Sequence, residues 1–323
     1  MAYEAELQVA MAATLAAAKL CQKVQAEIPK ALEKKDRTPV TIADYGSQAL
    51  ICRAIAAAFP NDAIVGEEDA VALRSAEQAD TLVHVAQQVR ELVPDAGTQD
   101  VLNWIDRGNG TVGDRFWTLD PIDGTKGFLR GEQYAIALAL VEAGEIKVGV
   151  LGCPNLTEDI ETGAGTRGLL FLAVRGKGAQ LLPFGSQAAR PIRVVDPDDA
   201  ANLRFVESVE SAHGDPARQA AIAKAAGIAS PSLRIDSQCK YGAVASGQAA
   251  LYLRLPSPKT PGYRENIWDH AAGAIVVEEA GGRVTDMFGE PLEWHKGAKM
   301  LNNQGVVVSN GPIHDAVISA LGI

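Results

Sequence analysis

The sequence predicts mixed α and β structure: an α+β first half built on an antiparallel sheet, then an α/β second half. Three observations carry this. Apolar residues recur at helical spacing up to residue 58, four closely spaced β runs joined by glycine turns fill residues 134–182, and beyond residue 200 short apolar strands alternate with helical stretches.

Leu7, Met11, Leu15, Ala18 and Cys21 place an amphipathic helix over 4–28, which Pro29 ends or kinks. Asp36–Thr41 reads as extended, because Pro39 disfavours helix at the residue before it. A second helix runs over 44–58. Ala63–Val65 is a short strand, 70–93 a helical stretch and 94–115 a polar connection dotted with glycine. A strand then ends at Leu119. Tyr134–Val141, Ile146–Leu151, Gly168–Val174 and Gly178–Leu182 make the antiparallel sheet. Pro191, Pro197 and three aspartates mark a boundary, which divides the chain into subdomains 1–195 and 196–323. Strands near 203–206 and 251–255 then alternate with helices at 215–226, 240–248, 269–280 and 312–320. The string Gly163-Ala-Gly-Thr-Arg-Gly168 has the spacing of a dinucleotide fingerprint, but a strand follows it where the fingerprint needs a helix, so it is a hairpin turn.

With 47% hydrophobic and 22% charged residues, the chain is globular rather than disordered. A net charge of −10 with no offsetting basic block argues against nucleic-acid or anionic-membrane binding. The four cysteines form no C-x-x-C pair, which points to a reducing compartment without a zinc ribbon or disulfide framework. No apolar run approaches the roughly 20 residues of a membrane span. The alanine-rich segment Leu7–Ala18 is preceded by Glu4 and Glu6 rather than a basic leader, and reads as a packed helix. The cytoplasm is the expected location and a monomer the expected state.

The most informative stretch is Trp117-Thr-Leu-Asp120-Pro-Ile122-Asp123-Gly124-Thr125. Two carboxylates three residues apart, on a turn pinned by Pro121 and Gly124, can converge on one cation, with the Ile122 carbonyl between them. Hard divalent cations take oxygen ligands at about 2.0 Å for magnesium and roughly 2.3–2.6 Å for calcium. Thr125 adds a hydroxyl that can orient a water. Gly66-Glu67-Glu68 follows a strand; alone it is a solvated acidic loop, but beside the acidic turn it is a second ligand source. Asp269 opens a helix, as an N-cap, a metal ligand or both. Asp44 likewise begins a helix, as cap or as a base polarising a hydroxyl or water. Arg254 sits inside the apolar run Leu251–Pro256, where a buried charge needs an anionic partner, protein or ligand. Ser237 and Lys240 are the other notable polar positions in this half. His213, one of five histidines, carries no signal alone.

In order, Gly66-Glu67-Glu68, Asp120–Thr125 and Trp268–Gly273 resemble the three metal motifs of the magnesium-dependent, lithium-sensitive phosphomonoesterases that include inositol monophosphatase. Asp120–Gln133, Gly152–Leu156, Asp236–Tyr241 and Tyr252–Pro256 resemble more narrowly the 3′(2′),5′-bisphosphate nucleotidases, which convert adenosine 3′,5′-bisphosphate to AMP and phosphate. The resemblance runs from Thr38 to Gly282. It implies a layered α-β-α-β-α sandwich of the sugar-phosphatase type, with the site between two subdomains. It implies two or three Mg²⁺ ions held by Glu67, Asp120, Asp123, Asp269 and the Ile122 carbonyl, and Asp44 with Thr125 activating the attacking water. Ser237, Lys240 and Arg254 would hold the second phosphate, His213 would lie near the nucleoside, and Thr125 and Asp269 would also touch substrate. The sulfated nucleotide 3′-phosphoadenylyl sulfate is a further candidate substrate. The rivals are an inositol monophosphatase or inositol polyphosphate 1-phosphatase with the same metals, and a non-catalytic nucleotide sensor. Cys239, beside Ser237 and Lys240, is a candidate for redox control.

Overall fold

The structure is a computed structural model that describes residues 2–28, 38–209, 215–257, 259–260 and 262–322. Its first sheet has seven strands in sequential order: β1 (Ala63–Gly66), β2 (Arg115–Asp123), β3 (Ala135–Glu142), β4 (Glu145–Thr157), β5 (Arg167–Val174), β6 (Ala179–Pro183) and β7 (Arg190–Ile192). β1 and β2 pair in parallel and every other neighbour is antiparallel. Both faces are covered, which is why β3 reads as an unbroken apolar run. Its alternation is of size rather than polarity. Ile136, Leu138 and Leu140 join the core on one side, whereas Ala135, Ala137 and Ala139 join the core on the other.

The large residues meet α1 (Glu4–Glu27) and α2 (Thr38–Ala58), which pack on each other and on β2, β3 and β4. The small ones meet α7 (Cys239–Ala245) and α8 (Ala271–Glu279). These two helices are filled between sheets: every residue of α7, and Ala271–Val277 of α8, is buried. A helix apolar all round belongs in such a layer. Beyond them lies a second sheet in the order β11 (Arg283–Thr285), β12 (Val306–Ser309), β10 (Leu251–Arg254), β8 (Arg204–Glu207), β9 (Ser230–Arg234). Its outer face carries α6 (Pro216–Ala225) and α9 (His314–Leu321) over Phe205, Leu251, Leu253 and Val307. The result is the five-layered α-β-α-β-α sandwich. The remaining helices, α3 (Ala79–Arg90), α4 (Thr98–Asp106) and α5 (Thr125–Arg130), pack on α2.

Several local expectations are corrected. α2 begins at Thr38, so Thr38–Thr41 is helical, not extended; Pro39 falls in the first turn, where no backbone donor is required. Pro29, Asp36 and Arg37 lie outside the described residues. Asp44 is therefore inside a helix and caps nothing. The stretch 70–93 is two short 3₁₀ turns, Ala72–Arg74 and Ala76–Gln78, followed by α3. The connection 94–115 contains α4, whose first turn is closed by Asp100 accepting from the Gly97 amide at 2.8 Å. β2 does not stop at Leu119 but continues to Asp123. α8 starts at Ala271 with no side-chain cap, and Asp269 instead accepts from the backbone and side-chain nitrogens of Asn266 at 3.3 and 3.2 Å. The string 163–168 is a hairpin turn between β4 and β5, as expected.

Two glycines set how closely α8 packs, Gly149 against the first sheet and Gly273 against α7. A Cβ on Gly149 of β4 would lie 2.2 Å from Ile275 Cγ2, and one on Gly273 of α8 would lie 2.3 Å from the Tyr241 ring. Because both neighbours are buried, Gly149→Ala is expected to destabilise the fold by ~1–3 kcal/mol. A urea titration whose midpoint matched the parent would show a looser layer than this one.

Candidate active site

One irregularity in β2 builds the centre of the site. Asp120 stands opposite Ala137 and Asp123 opposite Ala135, so three steps along β2 match two along β3. In a regular strand residues three apart face opposite ways. The extra residue of this bulge turns both carboxylates to the side of the small alanines. Pro121 sits inside it, its carbonyl accepting from Ser47 of α2 at 3.0 Å. Gly124 follows at φ 89° and opens α5.

Around these aspartates is a cleft of about 280 Å³. The loop after β1 brings Glu67, whose own position is set by Gln48 of α2: the Glu68 amide donates to Gln48 at 3.1 Å, and Gln48 donates to the Glu68 and Ile105 carbonyls. The loop before α7 brings Ser237. Ser237 adopts φ 65°, in the left-handed region, and lies directly on Gly124, where a Cβ would come within 2.7 Å of its own. The ion pair of Arg130 with the buried Asp236 and the Gln238 amide donating to Asp123 hold this loop against β2 and α5. α7 supplies Lys240, the end of β10 supplies Arg254, and the segment before α8 supplies Asp269.

Of the residues singled out in the sequence, Glu67, Asp120, Ile122, Asp123, Thr125, Ser237, Lys240, Arg254 and Asp269 all line this one cleft. Ile122 is 1% exposed with its side chain in the core, so it offers the cleft its main chain. Asp44 lies behind the cleft on α2, one turn before Ser47, and is 8% exposed. No hydrogen bond joins it to Thr125 among the described residues, and Thr125 is exposed at the start of α5. His213 lies outside the described residues. The cleft also takes in Lys126, Asp236, Gln238, Tyr252, Tyr263, Glu265 and His270, none of which stood out by residue type or spacing.

The electrostatics are dominated by crowded negative charge. Burial, then the charges of Glu67, Asp123 and Asp269, push the Asp120 carboxyl well above the usual range. Burial and the Asp269 charge take Glu67 to about 7, although its side chain is open at the cleft mouth and water tempers the effect. Burial takes Asp269 to about 6, with Asp123 and Glu265 adding to it and His270 and Arg254 opposing. Asp123 is raised by burial and pulled back by Lys240, the Gln238 amide and Arg254. Asp44 is raised by burial, Glu68 and Glu67. Burial also lowers Lys240 to about 8 against the pull of Asp123.

Such a set fits hard divalent cations: the donors are all oxygen, and Asp120 Oδ1 is buried without a hydrogen-bond partner. Within the described residues the tightest ligand grouping is Glu265, Asp269 and His270, whose ligand atoms lie within 4.8 Å of one another. Both Glu265 oxygens are taken, one by Arg254 at 3.1 Å and one by His270 at 3.3 Å, which leaves Asp269 as the member open to a cation.

Comparison with known proteins agrees with this geometry. A model of the inositol monophosphatase family matches residues 3–322. A 3′(2′),5′-bisphosphate nucleotidase of Emericella nidulans is 42% identical over 355 residues, covering 99% of this chain and 98% of its own. One from Schizosaccharomyces pombe is 41% identical over 340 residues, covering 99% and 96%. In fold the chain is similar to an inositol monophosphatase from Zymomonas mobilis (TM-score 0.64, 20% identity, 100% of both chains). It is likewise similar to CysQ from Bacteroides thetaiotaomicron (TM-score 0.61, 22% identity, 95% and 98% covered). The chain belongs to the inositol monophosphatase family, a family of metal-dependent phosphatases.

Raised carboxyl pKa values have a definite sign in stability. Protonated, these groups cost the fold little; ionised, they repel. Without metal the fold therefore loses stability as pH rises through the folded-state values, about 6 for Asp269 and about 7 for Glu67. In chelator at pH 8, Asp120→Asn is expected to melt ~2 °C or more above the parent, and the gap to narrow steadily as pH is lowered to about 4. Saturating divalent cation reverses the order at pH 8, since it binds the parent's folded state. Identical melting curves in chelator at both pH values would contradict a strained acidic cluster.

Proposed function

We propose that this protein is a Mg²⁺-dependent 3′(2′),5′-bisphosphate nucleotidase that hydrolyses the 3′-phosphate of adenosine 3′,5′-bisphosphate, yielding AMP and phosphate. The observation that carries the reading is the pairing of two opposite charge clusters in one cleft: Glu67, Asp120, Asp123 and Asp269 for cations, Lys240 and Arg254 beside them for an anion. A monophosphate substrate has no use for the second cluster. The naming of relatives 41–42% identical over the full length supports the same substrate.

Bound divalent cations would neutralise phosphoryl oxygens and make a water nucleophilic at neutral pH, which hydrolysis of so inert an ester requires. The protein's part is placement. Glu67, Asp120, Asp123, Asp269 and the Ile122 carbonyl would hold the cations. The Thr125 hydroxyl would accept a hydrogen bond from the attacking water and donate to Asp44, a rotation of its exposed side chain away from the present arrangement. Ser237, Lys240 and Arg254 would grip the 5′-phosphate, Arg254 through two parallel hydrogen bonds. His213 is proposed beside the nucleoside. The loops bearing the ligands come from both sheets, so substrate is held between them while water attacks in line.

A cytoplasmic, monomeric enzyme is part of this proposal. No helix among the described residues is long and apolar enough to cross a membrane, and all four cysteines are free and buried.

A phosphate-release panel in Mg²⁺ tests the substrate: adenosine 3′,5′-bisphosphate should outrun inositol 1-phosphate and inositol 1,4-bisphosphate by ~100-fold or more in kcat/KM, the worth of about two charged hydrogen bonds. Preference for either inositol phosphate would overturn the reading. Arg254→Ala is expected to raise KM for the bisphosphate at least ~10-fold, and far more than for adenosine 3′-monophosphate. Equal losses on both would remove the second-phosphate assignment. Asp120→Ala should abolish turnover, and substantial activity at saturating Mg²⁺ would contradict its place at the centre.

A further inference from the structure

Arg254 does not project freely into the cleft. Its Nε donates to Glu265 Oε1 at 3.1 Å, and Glu265 Oε2 lies 3.3 Å from His270 Nε2. His270 Nδ1 lies in turn 2.7 Å from the Tyr241 hydroxyl. The side chains of Glu265 and His270 are 7% and 2% exposed. The Glu265 main chain is fixed, since the Met300 amide donates to its carbonyl at 3.0 Å, and the Tyr241 ring at one end of the chain is packed on Gly273. An ionised carboxylate only accepts, so His270 carries its proton on Nε2, and the Nδ1 of a neutral ring accepts from Tyr241. Four side chains thus run in sequence from α7 to the end of β10.

We propose that Glu265 is a positioning residue: it anchors Arg254 so that the guanidinium presents its Nη1/Nη2 edge to the phosphate remote from the cation cluster, and thereby sets the preference for bisphosphate over monophosphate. This rests on the nucleotidase reading above. A carboxylate beside an anion-binding arginine weakens its pull on the anion, so attraction is not its use. Holding is. Occupying Nε leaves the parallel Nη1/Nη2 donors for bidentate contact. It also restrains Arg254 from swinging into the acidic cluster, where Asp123 and Asp269 would take it as a substitute cation. The anchor needs a carboxylate in particular. A glutamine in its place accepts on one atom only and must turn an N–H towards either Arg254 or the proton of His270.

The test is a double-mutant cycle of Glu265→Gln and Arg254→Ala, assayed at saturating Mg²⁺ with adenosine 3′,5′-bisphosphate and adenosine 3′-monophosphate. Calorimetry follows binding of AMP, which keeps only the 5′-phosphate. Glu265→Gln is expected to raise KM for the bisphosphate about tenfold, with a rise at least about threefold smaller for the monophosphate, a fall in kcat below about threefold, and AMP weakened in parallel. In the Arg254→Ala background these effects disappear. Equal losses on the two substrates, or effects that persist without Arg254, would overturn the proposal. If Arg254→Ala separates the substrates and Glu265→Gln does not, the positioning role alone falls. If Arg254→Ala fails to separate them, the second-phosphate reading falls and takes this inference with it. Should Glu265→Gln not fold, Glu265→Asp keeps the charge but withdraws the carboxylate by one methylene, and an unaltered KM for the bisphosphate in that variant would equally overturn it.

Discussion

One extra residue in β2 governs the site. Without the bulge between Asp120 and Asp123, the two carboxylates would point to opposite faces of the first sheet, one into the α1/α2 core and one into the cleft. With it, both face the layer that holds α7 and α8. Every other feature of the cleft is arranged to meet that pair. Gly124 clears the way for Ser237, the Gln238 amide caps Asp123, and Gln48 sets the loop bearing Glu67 beside Asp120.

The central helical layer makes this meeting possible because it is thin. The face of β3 towards α7 and α8 is Ala135, Ala137 and Ala139, and Gly149 and Gly273 remove side chains where larger ones would hold α8 away. Close packing at such positions transmits even a methyl group as displacement. Asp269 lies just ahead of α8, so its distance from Asp120 follows from how far α8 sinks onto β4. The chemistry at the cleft is in this sense a consequence of residue size in a core that touches no ligand.

Much of this was legible in the sequence, and the limits have physical causes. The run Asp120–Thr125 announced an acidic turn in the cleft because proline, glycine and paired carboxylates each restrict the backbone or the chemistry in a recognisable way. What it could not announce was the bulge, which is a register difference with β3 and not a local property. The cap alternative for Asp44 rests on Pro39 excluding helix before it, whereas a proline in the first turn begins one and puts Asp44 inside α2. Asp269 looked like an N-cap because an acidic residue before an apolar helix usually is; its partners are instead the two nitrogens of Asn266. β9, with the sequence Ser-Pro-Ser-Leu-Arg, lacks apolar alternation because it is an edge strand. His270 lies inside the motif Trp268–Gly273 and Glu265 shortly before it, yet nothing in their spacing shows that they meet Arg254 and Tyr241 from other elements.

The charge balance of the cleft carries a final consequence. Its lining places the carboxylates of Glu67, Asp120, Asp123, Asp236, Glu265 and Asp269 against the cations of Lys126, Lys240 and Arg254. Asp236 is paired with Arg130, and Glu265 is shared between Arg254 and His270, so the four remaining carboxylates outnumber the two further cations, Lys126 and Lys240. A phosphate ester approaching this wall alone meets repulsion in a partly desolvated space, where charge interactions are several-fold stronger than in water. Divalent cations held by those carboxylates invert the local sign. On the proposed reading, the same four groups that repel one another without cations would make an anionic substrate bindable once cations are held, which would tie recognition of the reacting phosphate to cation occupancy. On that reading, a second phosphate would rely on Lys240 and Arg254 rather than on bound cations.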